Sequence, residues 1–279
     1  NQVFVATRSG ATTGAIDVFD GTSGGLLSGA GGVSGADLGI DQIGVAEDGT
    51  LYGMSLITSV ATGTPVKIYS WTNWNTAPYL AYQSTNASDP VVTSFPAKRI
   101  GDTMAVTGSG VNTLILAGVG GSANYVLFHT VDGVNFVPTV ITNTATLPST
   151  VGNIFGLSFY TNGTFLVQPG VNATSHNTFL VSYPGNFASL DGATGTVLGN
   201  AAAFGANSTY FIDYASAGNL LAVAQTASGN PIPVGLVSTT NFPAGAGQGA
   251  TGNGTSPNAN GNATGGVALG GQGETNYLY

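Results

Sequence analysis

The chain has no cysteine, and only 4 Lys+Arg and 12 Asp+Glu are spread over its 279 residues. Without cysteine there are no disulfides, thiolate metal sites or cysteine nucleophiles. The cations, Arg8, Lys67, Lys98 and Arg99, are too few and too scattered to neutralise a phosphate track, which excludes nucleic acid as a partner. A formal net charge of −8 also opposes docking on an anionic membrane surface. No apolar run approaches the ~18 residues of a membrane helix, so membrane insertion is not expected. Charged side chains make up 6% of the chain where roughly 25% is usual. A hydrophobic fraction of 42% nevertheless rules out disorder of the highly charged, weakly apolar kind. The 44 glycines have no period of three, which rules out collagen.

What is there is a recurring order of short strands. Ile40 to Ala46 leads through Asp48-Gly49 into Thr50 to Leu56, followed by Val66 to Trp71 and Tyr79 to Tyr82. The order returns with Gly101 to Thr107, Thr113 to Ala117, Tyr125 to His129 and, after Asp132-Gly133, Phe136 to Ile141. A third copy runs Ile154 to Tyr160, Asn162-Gly163, Thr164 to Val167, Thr178 to Tyr183 and Thr196 to Leu198. The fourth runs Tyr210 to Tyr214, Leu220 to Ala224 and Val234 to Val237. Asp-Gly and Asn-Gly between the first two strands predict type I′ hairpin turns, with both central residues at positive φ. A four-stranded unit repeating every ~50 residues predicts an all-β chain built as a β-propeller of four-stranded blades. A β-sandwich is the alternative. Central blade strands are buried on both faces, which accounts for part of the shortage of charge.

The termini complete one another in this scheme. Val3 to Ala6 and Ala15 to Phe19 read as second and third strands with no first strand before them, and Gly265 to Leu269 reads as the missing one. Five blades closed by strands from both termini are expected, with a sixth begun by Asn276, Tyr277, Leu278 and Tyr279 as the other possibility. Residues 1–241 are then the blades, 242–264 a Gly/Ala/Asn-rich linker, and 265–279 strands that close the propeller or pair with a neighbouring subunit. Gly49-Thr50-Leu51-Tyr52 and Asn276-Tyr277-Leu278-Tyr279, each after a Gly-rich strand, resemble the repeats of secreted bacterial β-propeller proteins of the exosortase-sorted type. That resemblance implies an exported protein with no catalytic residues to carry over, and it extends to the subunit of an environmental extracellular filament. Asn1 in place of Met adds the expectation of a mature, exported product.

The search for chemistry finds little. His129 lies within a strand run and reads as a packed histidine, and His176 sits in a polar loop. No Gly-X-Ser-X-Gly elbow, P-loop, zinc spacing or dinucleotide fingerprint occurs. Asp17/Asp20, Asp37/Asp41 and Glu47/Asp48 are close carboxylate pairs, but without the oxygen-rich run that Ca²⁺ requires. No catalytic residue, metal or cofactor is therefore expected. Asn86, Asn162, Asn172, Asn207, Asn253 and Asn262 begin Asn-X-Ser/Thr triplets, the acceptor signal for N-glycans. Trp71, Trp74 and Tyr79 cluster near Asn73 and Asn75, a composition that stacks on sugar rings or fills an interface.

The expected function is structural. An extracellular, self-associating β-propeller would form a homopolymeric filament or surface layer, its partners being copies of itself and covalent glycans, with the strand Asn276 to Tyr279 given to a neighbour. A monomeric carbohydrate-binding propeller is the alternative.

Overall fold

The computed structural model describes residues 2–8, 14–29, 32–33, 35–36, 39–61, 63–122, 124–143, 154–161, 163–169, 178–183, 193–201, 209–215, 219–225, 232–241, 247–254, 267, 269–272 and 275–278. The described chain is all-β apart from a five-residue helix and one 3₁₀ turn at Gly110–Asn112. It divides into two compact units, Asn1–Gly120 with Tyr125–Val140, and Gly121–Asn124 with Ile141–Tyr279.

The first unit opens with β1 (Gln2–Arg8) paired antiparallel to β2 (Gly14–Asp20). β3 (Ile40–Val45), β4 (Leu51–Ser55), β5 (Lys67–Trp71) and β6 (Tyr79–Gln83) form an antiparallel meander in chain order. After α1 (Pro90–Ser94), β7 (Arg99–Thr107), β8 (Leu114–Gly120), β9 (Tyr125–Thr130) and β10 (Phe136–Asn143) follow in the same order. β1, β3 and β7 lie side by side. The place beside β3 is thus taken by β1, which the sequence pattern assigns to a second strand.

Burial follows strand position. β4 is buried at every residue, and β8 and β9 at nearly every one, whereas β6 at the sheet edge exposes Tyr79 and Leu80. Met54, Ile68, Ile100, Ile115, Val126 and Phe128 meet in one apolar cluster, and Ile16, Val18, Leu51 and Trp71 in another. Each such side chain contributes about 1.5–3 kcal/mol by leaving water. α1 starts where Asp89 caps it, its carboxylate accepting the Val91 N–H at 2.8 Å.

The second unit repeats the plan. β11 (Ile154–Phe159), β12 (Thr164–Pro169), β13 (Thr178–Ser182) and β14 (Ala193–Ala201) form one antiparallel meander. Residues 141–143 also pair in parallel with 193–195, a contact that the repeat does not predict. β15 (Thr209–Ala215), β16 (Leu220–Gln225), β17 (Ile232–Ser238) and β18 (Gly247–Gly254) form the next meander, and β19 (Leu269–Gln272) and β20 (Thr275–Leu278) a final hairpin. β15 lies beside β11 and β19, and Leu166, Leu180, Ile212, Leu221 and Val223 form the core.

Two expectations are corrected. Part of the 242–264 tract is a strand rather than a linker: β18 runs Gly-Gln-Gly-Ala-Thr-Gly-Asn-Gly along β17, from Gly247 opposite Ser238 to Gly254 opposite Ile232. Main-chain hydrogen bonds suffice to hold an outer strand that brings almost no side chains. The Asp48-Gly49 and Asp132-Gly133 turns are also not type I′, while Asn162 of the third such turn lies outside the described residues. Gly49 has φ +86°, but among the described residues only Ala97 and Asn219 are non-glycines at positive φ, so Asp48 is not left-handed. The Asp48-Gly49 turn instead closes with Gly49 N–H on the Ala46 carbonyl (2.9 Å), while the Thr50 N–H meets the Asp48 carboxylate at 3.0 Å.

Gly101, at φ +106° in β7, lets that strand approach residues 55–57, where Ile57 and Ile100 exchange two 2.9 Å backbone hydrogen bonds. A Cβ there would strike the Ser55 carbonyl, whereas at Gly49 it would meet open space. Gly49→Ala is expected to cost about 1 kcal/mol through φ alone, and Gly101→Ala roughly 2–4 kcal/mol because collision is added to φ. Urea denaturation of both variants checks the order, and equal losses would show that the close approach is not what Gly101 serves.

Candidate functional site

The few carboxylates are used as acceptors that hold turns and loops. Asp20 Oδ1 accepts the N–H groups of Ser23 (2.7 Å) and Thr22 (3.0 Å), which keeps its carboxyl below the usual carboxylate range. Glu47 and Asp48 reach the loop after β7. Gly108 N–H donates to Glu47 Oε1 at 3.2 Å, Glu47 N–H to the Gly108 carbonyl at 2.9 Å, and Gly110 N–H to Asp48 Oδ2 at 3.0 Å. Arg99 makes a bidentate pair with Asp102 at 2.5 and 2.6 Å. Tyr82 donates its hydroxyl to Asp89, and both burial and the nearby carboxylate push that phenol above its ordinary range.

Asp132 organises a surface in the first unit. Its carboxylate accepts from Asn135 Nδ2 and N–H (both 2.7 Å), from Val134 N–H (2.8 Å) and from Thr130 Oγ1 (2.9 Å), so it stays ionised well below the usual range. Asn135 Oδ1 in turn accepts the Tyr79 hydroxyl at 2.8 Å, which ties the start of β6 to the β9–β10 turn. Gly133 rests against Gly110 and Val111, so the β7–β8 and β9–β10 turns are neighbours. The tips of these turns are apolar: Val131 is 82% exposed and Val111 55%, with Val134, Tyr79 and Leu80 exposed beside them. These valines carry no signal in the sequence, because a single valine in a polar turn looks like nothing until two turns are brought together.

In the second unit, the side chain of Asp213 on β15 accepts the Leu269 N–H at 2.7 Å and so fastens the start of β19 to its own unit. Burial pushes this carboxyl up to about 6, against the hydrogen bonds from Leu269, Tyr214 and Ser158 that favour its ionised form. Tyr160 and Tyr214 pack together in the same unit with ring centroids 4.5 Å apart. Nothing in the sequence separates Asp213 from other strand aspartates, because burial is set by the neighbouring sheet.

The residues singled out in the sequence fare unequally. Trp71 is 1% exposed, among Leu51, Tyr69 and Ile16, and is corrected from a sugar platform to a core residue: its indole fills the space beneath β4, where no ligand ring can reach. Trp74 is half-buried against the same cluster, and Tyr79 is 47% exposed with its hydroxyl committed to Asn135. His129 is half-buried in β9, where desolvation lowers its pKa. Asp37 and His176 lie outside the described residues, as do Asn162, Asn172, Asn207, Asn262 and Tyr279. Asn253 lies in β18 opposite Pro233, and Asn86 is exposed in the loop after β6. Asn276, Tyr277 and Leu278 form β20, which pairs with β19 from Leu269 to Gln272. The strand expected to be unpaired therefore already has a partner on one side. No group of His, Asp and Glu that could hold a metal ion occurs among the described residues.

The raised pKa of Asp213 gives a pH dependence of definite sign. A carboxyl that binds its proton more tightly when folded contributes most stability below about 4, and that contribution is lost as pH rises through about 6. Asp20, Asp48 and Asp132, whose pKa values are lowered, act in the opposite sense, so the informative quantity is wild type minus Asp213→Asn. Asn keeps an acceptor for the Leu269 N–H and cannot ionise. Its stability relative to wild type is expected to improve by about 3 kcal/mol between pH 4 and pH 7.5 in denaturant titrations. A difference that does not vary with pH would mean that Asp213 is solvated.

No family model matches the chain, and no curated protein matches it. Solved structures do. A putative 6-phosphogluconolactonase from Bacteroides uniformis is similar over 90% of this chain and 67% of its own, with a TM-score of 0.55 at 13% identity. A DUF4623 family protein from Bacteroides eggerthii is similar over 81% of this chain, with a TM-score of 0.53 at 14% identity. The chain spans about half of that protein, 49% of its length. At these identities the likeness is one of all-β fold.

Proposed function

We propose that the chain is an extracellular β-propeller whose blades are the four four-stranded meanders, two of them joined in one sheet through β10 and β14, and the two hairpins β1–β2 and β19–β20, and that it works by associating with copies of itself as the subunit of a homopolymeric filament or surface layer. Six replaces the expected five because β1–β2 and β19–β20 are separate sheets, and because the first strands β1, β3 and β7, and β11, β15 and β19, lie next to one another in their units. Packing first strands side by side is how blades would share an axis.

The observation that carries the self-association is the apolar tip formed by Val111, Val131 and Val134 beside Tyr79 and Leu80. Its acidic neighbours, Asp48 and Asp132, are already occupied by backbone N–H groups, so covering this face strands few charges. A chain with 6% charged residues also has little repulsion with which to keep copies apart. β20 would supply a second contact, its outer edge taking a strand from a neighbouring copy.

The second reading rests on the fold likeness to the putative lactonase alone: a hydrolase of sugar lactones. A phosphorylated substrate would need cations, of which the whole chain has four. Turnover of 6-phosphogluconolactone above the buffer rate would favour it.

The structural reading is checked with the double variant Val131→Asp, Val134→Asp. Both positions are exposed, so the melting temperature should stay within about 4 °C of wild type. Polymers seen by electron microscopy and sedimentation should fall to single subunits. Unchanged assembly would remove this face from the contact.

A further inference from the structure

Among the described residues, one sequon combines an exposed side chain with a defined geometry. Thr85, Asn86, Ala87 and Ser88 form an exposed arch between β6 and α1. Both feet of the arch are held. At one end Ser84 is buried, its N–H donating to the Val66 carbonyl (3.0 Å) and its Oγ accepting the Val66 N–H (2.9 Å). At the other, Asp89 caps α1 through the Val91 N–H and takes the Tyr82 hydroxyl at 2.8 Å. The two ends of the exposed arch are therefore fixed, one to the strand before it and one to α1.

Asn86 is turned in a specific way on it. The Ser88 N–H donates to Asn86 Oδ1 at 3.0 Å, and Ser88 Oγ donates to the same atom at 2.8 Å. A backbone N–H can only donate, so the atom facing Ser88 is the carboxamide oxygen, and Nδ2 takes the opposite branch. The Asp89 N–H closes on the Asn86 carbonyl at 3.1 Å. The serine of the triplet is thus already bonded to the asparagine that it accompanies. Asn253 differs, because it lies within β18 in register with Pro233, where a transferring enzyme would have to displace a paired strand.

We propose that Asn86 is an N-glycosylation site, presented by this arch. The inference rests on the export in the functional reading above, since the donor is a lipid-linked oligosaccharide diphosphate met outside the cytoplasm. Asn86 Nδ2 forms a bond to C1 of the first sugar, the C1–O bond to the diphosphate breaks, and the lipid diphosphate leaves with that electron pair. The amide proton passes to a base of the transferring enzyme. No oxidant or reductant is needed. A glycan here would cover polar surface at the end of the sheet β3–β6, where the one neighbouring carboxylate, Asp89, is already held by Tyr82 and the Val91 N–H.

The distribution of cations makes the test specific. Trypsin cuts after Lys67 and Lys98, so the peptide Ile68–Lys98 carries Asn86 as its only sequon, while the other five fall beyond Arg99. In native protein from the producing cells, mass spectrometry should find that peptide mostly as a glycopeptide with sugar fragment ions. Enzymatic removal of the glycan should convert Asn86 to Asp, a gain of about 1 Da. In the same cells Asn86→Gln and Ser88→Ala should lose the glycan, and Ser88→Thr should keep it. Peptide 68–98 recovered unmodified from exported protein would overturn the site while leaving the extracellular reading standing. Unmodified protein confined to the cytoplasm would overturn both.

Discussion

A strand buried on both faces has no route to water for its backbone, so each N–H and C=O that it carries must be met by the strands beside it. β4, β8 and β9 are such strands, and their neighbours β3, β5 and β7 are bound to give them complete ladders. This demand sets much of the composition. Ionised side chains cannot point from either face of such strands, and the strands read as Leu-Tyr-Gly-Met-Ser or Tyr-Val-Leu-Phe-His-Thr. Small residues serve where large side chains crowd the backbone, between sheets and within one. Gly44 lies against Val106 of β7, and Gly53 against Ile40 and Trp71 of its own sheet, at separations that leave no comfortable room for a methyl group.

Much of the charge then sits at strand ends and in turns, where it does a local job. A carboxylate that accepts two or more backbone N–H groups fixes a turn without a cationic partner, as at Asp20 and Asp132, and a chain with four cations depends on this solution. The same bonds hold these acids ionised and spend their hydrogen-bonding capacity on the protein itself. Asp213 is the exception: its neighbours bury it more than they satisfy it, and it moves toward neutrality instead.

How much of this is legible in the sequence depends on how local the cause is. The order of β3 to β17 follows from apolar runs broken by Asp-Gly, Asn-Gly and Gly-Asn, since period and turn chemistry sit within a few residues of one another. β18 escapes that logic, because an outer strand of Gly, Ala, Thr and Asn has its ladder partner, not its own side chains, as the reason to be extended. Trp71 and Tyr79 show the same limit for the surface. Both lie near Asn73 in sequence, yet one is sealed in the core and the other stands at a sheet edge, because Trp71 is on the paired interior of β5 and Tyr79 begins β6. The apolar tip was hidden for a related reason: its valines come from turns about 20 residues apart in sequence and become one surface only when Gly133 seats on Gly110.

Two uses of an uncharged surface compete in such a molecule. Repulsion between like charges ordinarily keeps copies of a protein apart, and glycans can replace it by bulk and hydration; an apolar tip favours the opposite outcome. The geometry keeps the two apart along one sheet of the first unit. Asn86 follows the end of β6, whereas Tyr79 and Leu80 at its start belong with the valine tips. β6 rises about 3.3 Å per residue, so its five residues separate the two features by roughly 15–20 Å. A sugar at one end of the strand would shield its surroundings while leaving the other end bare, so that association, where it occurs, is directed to one end of the sheet.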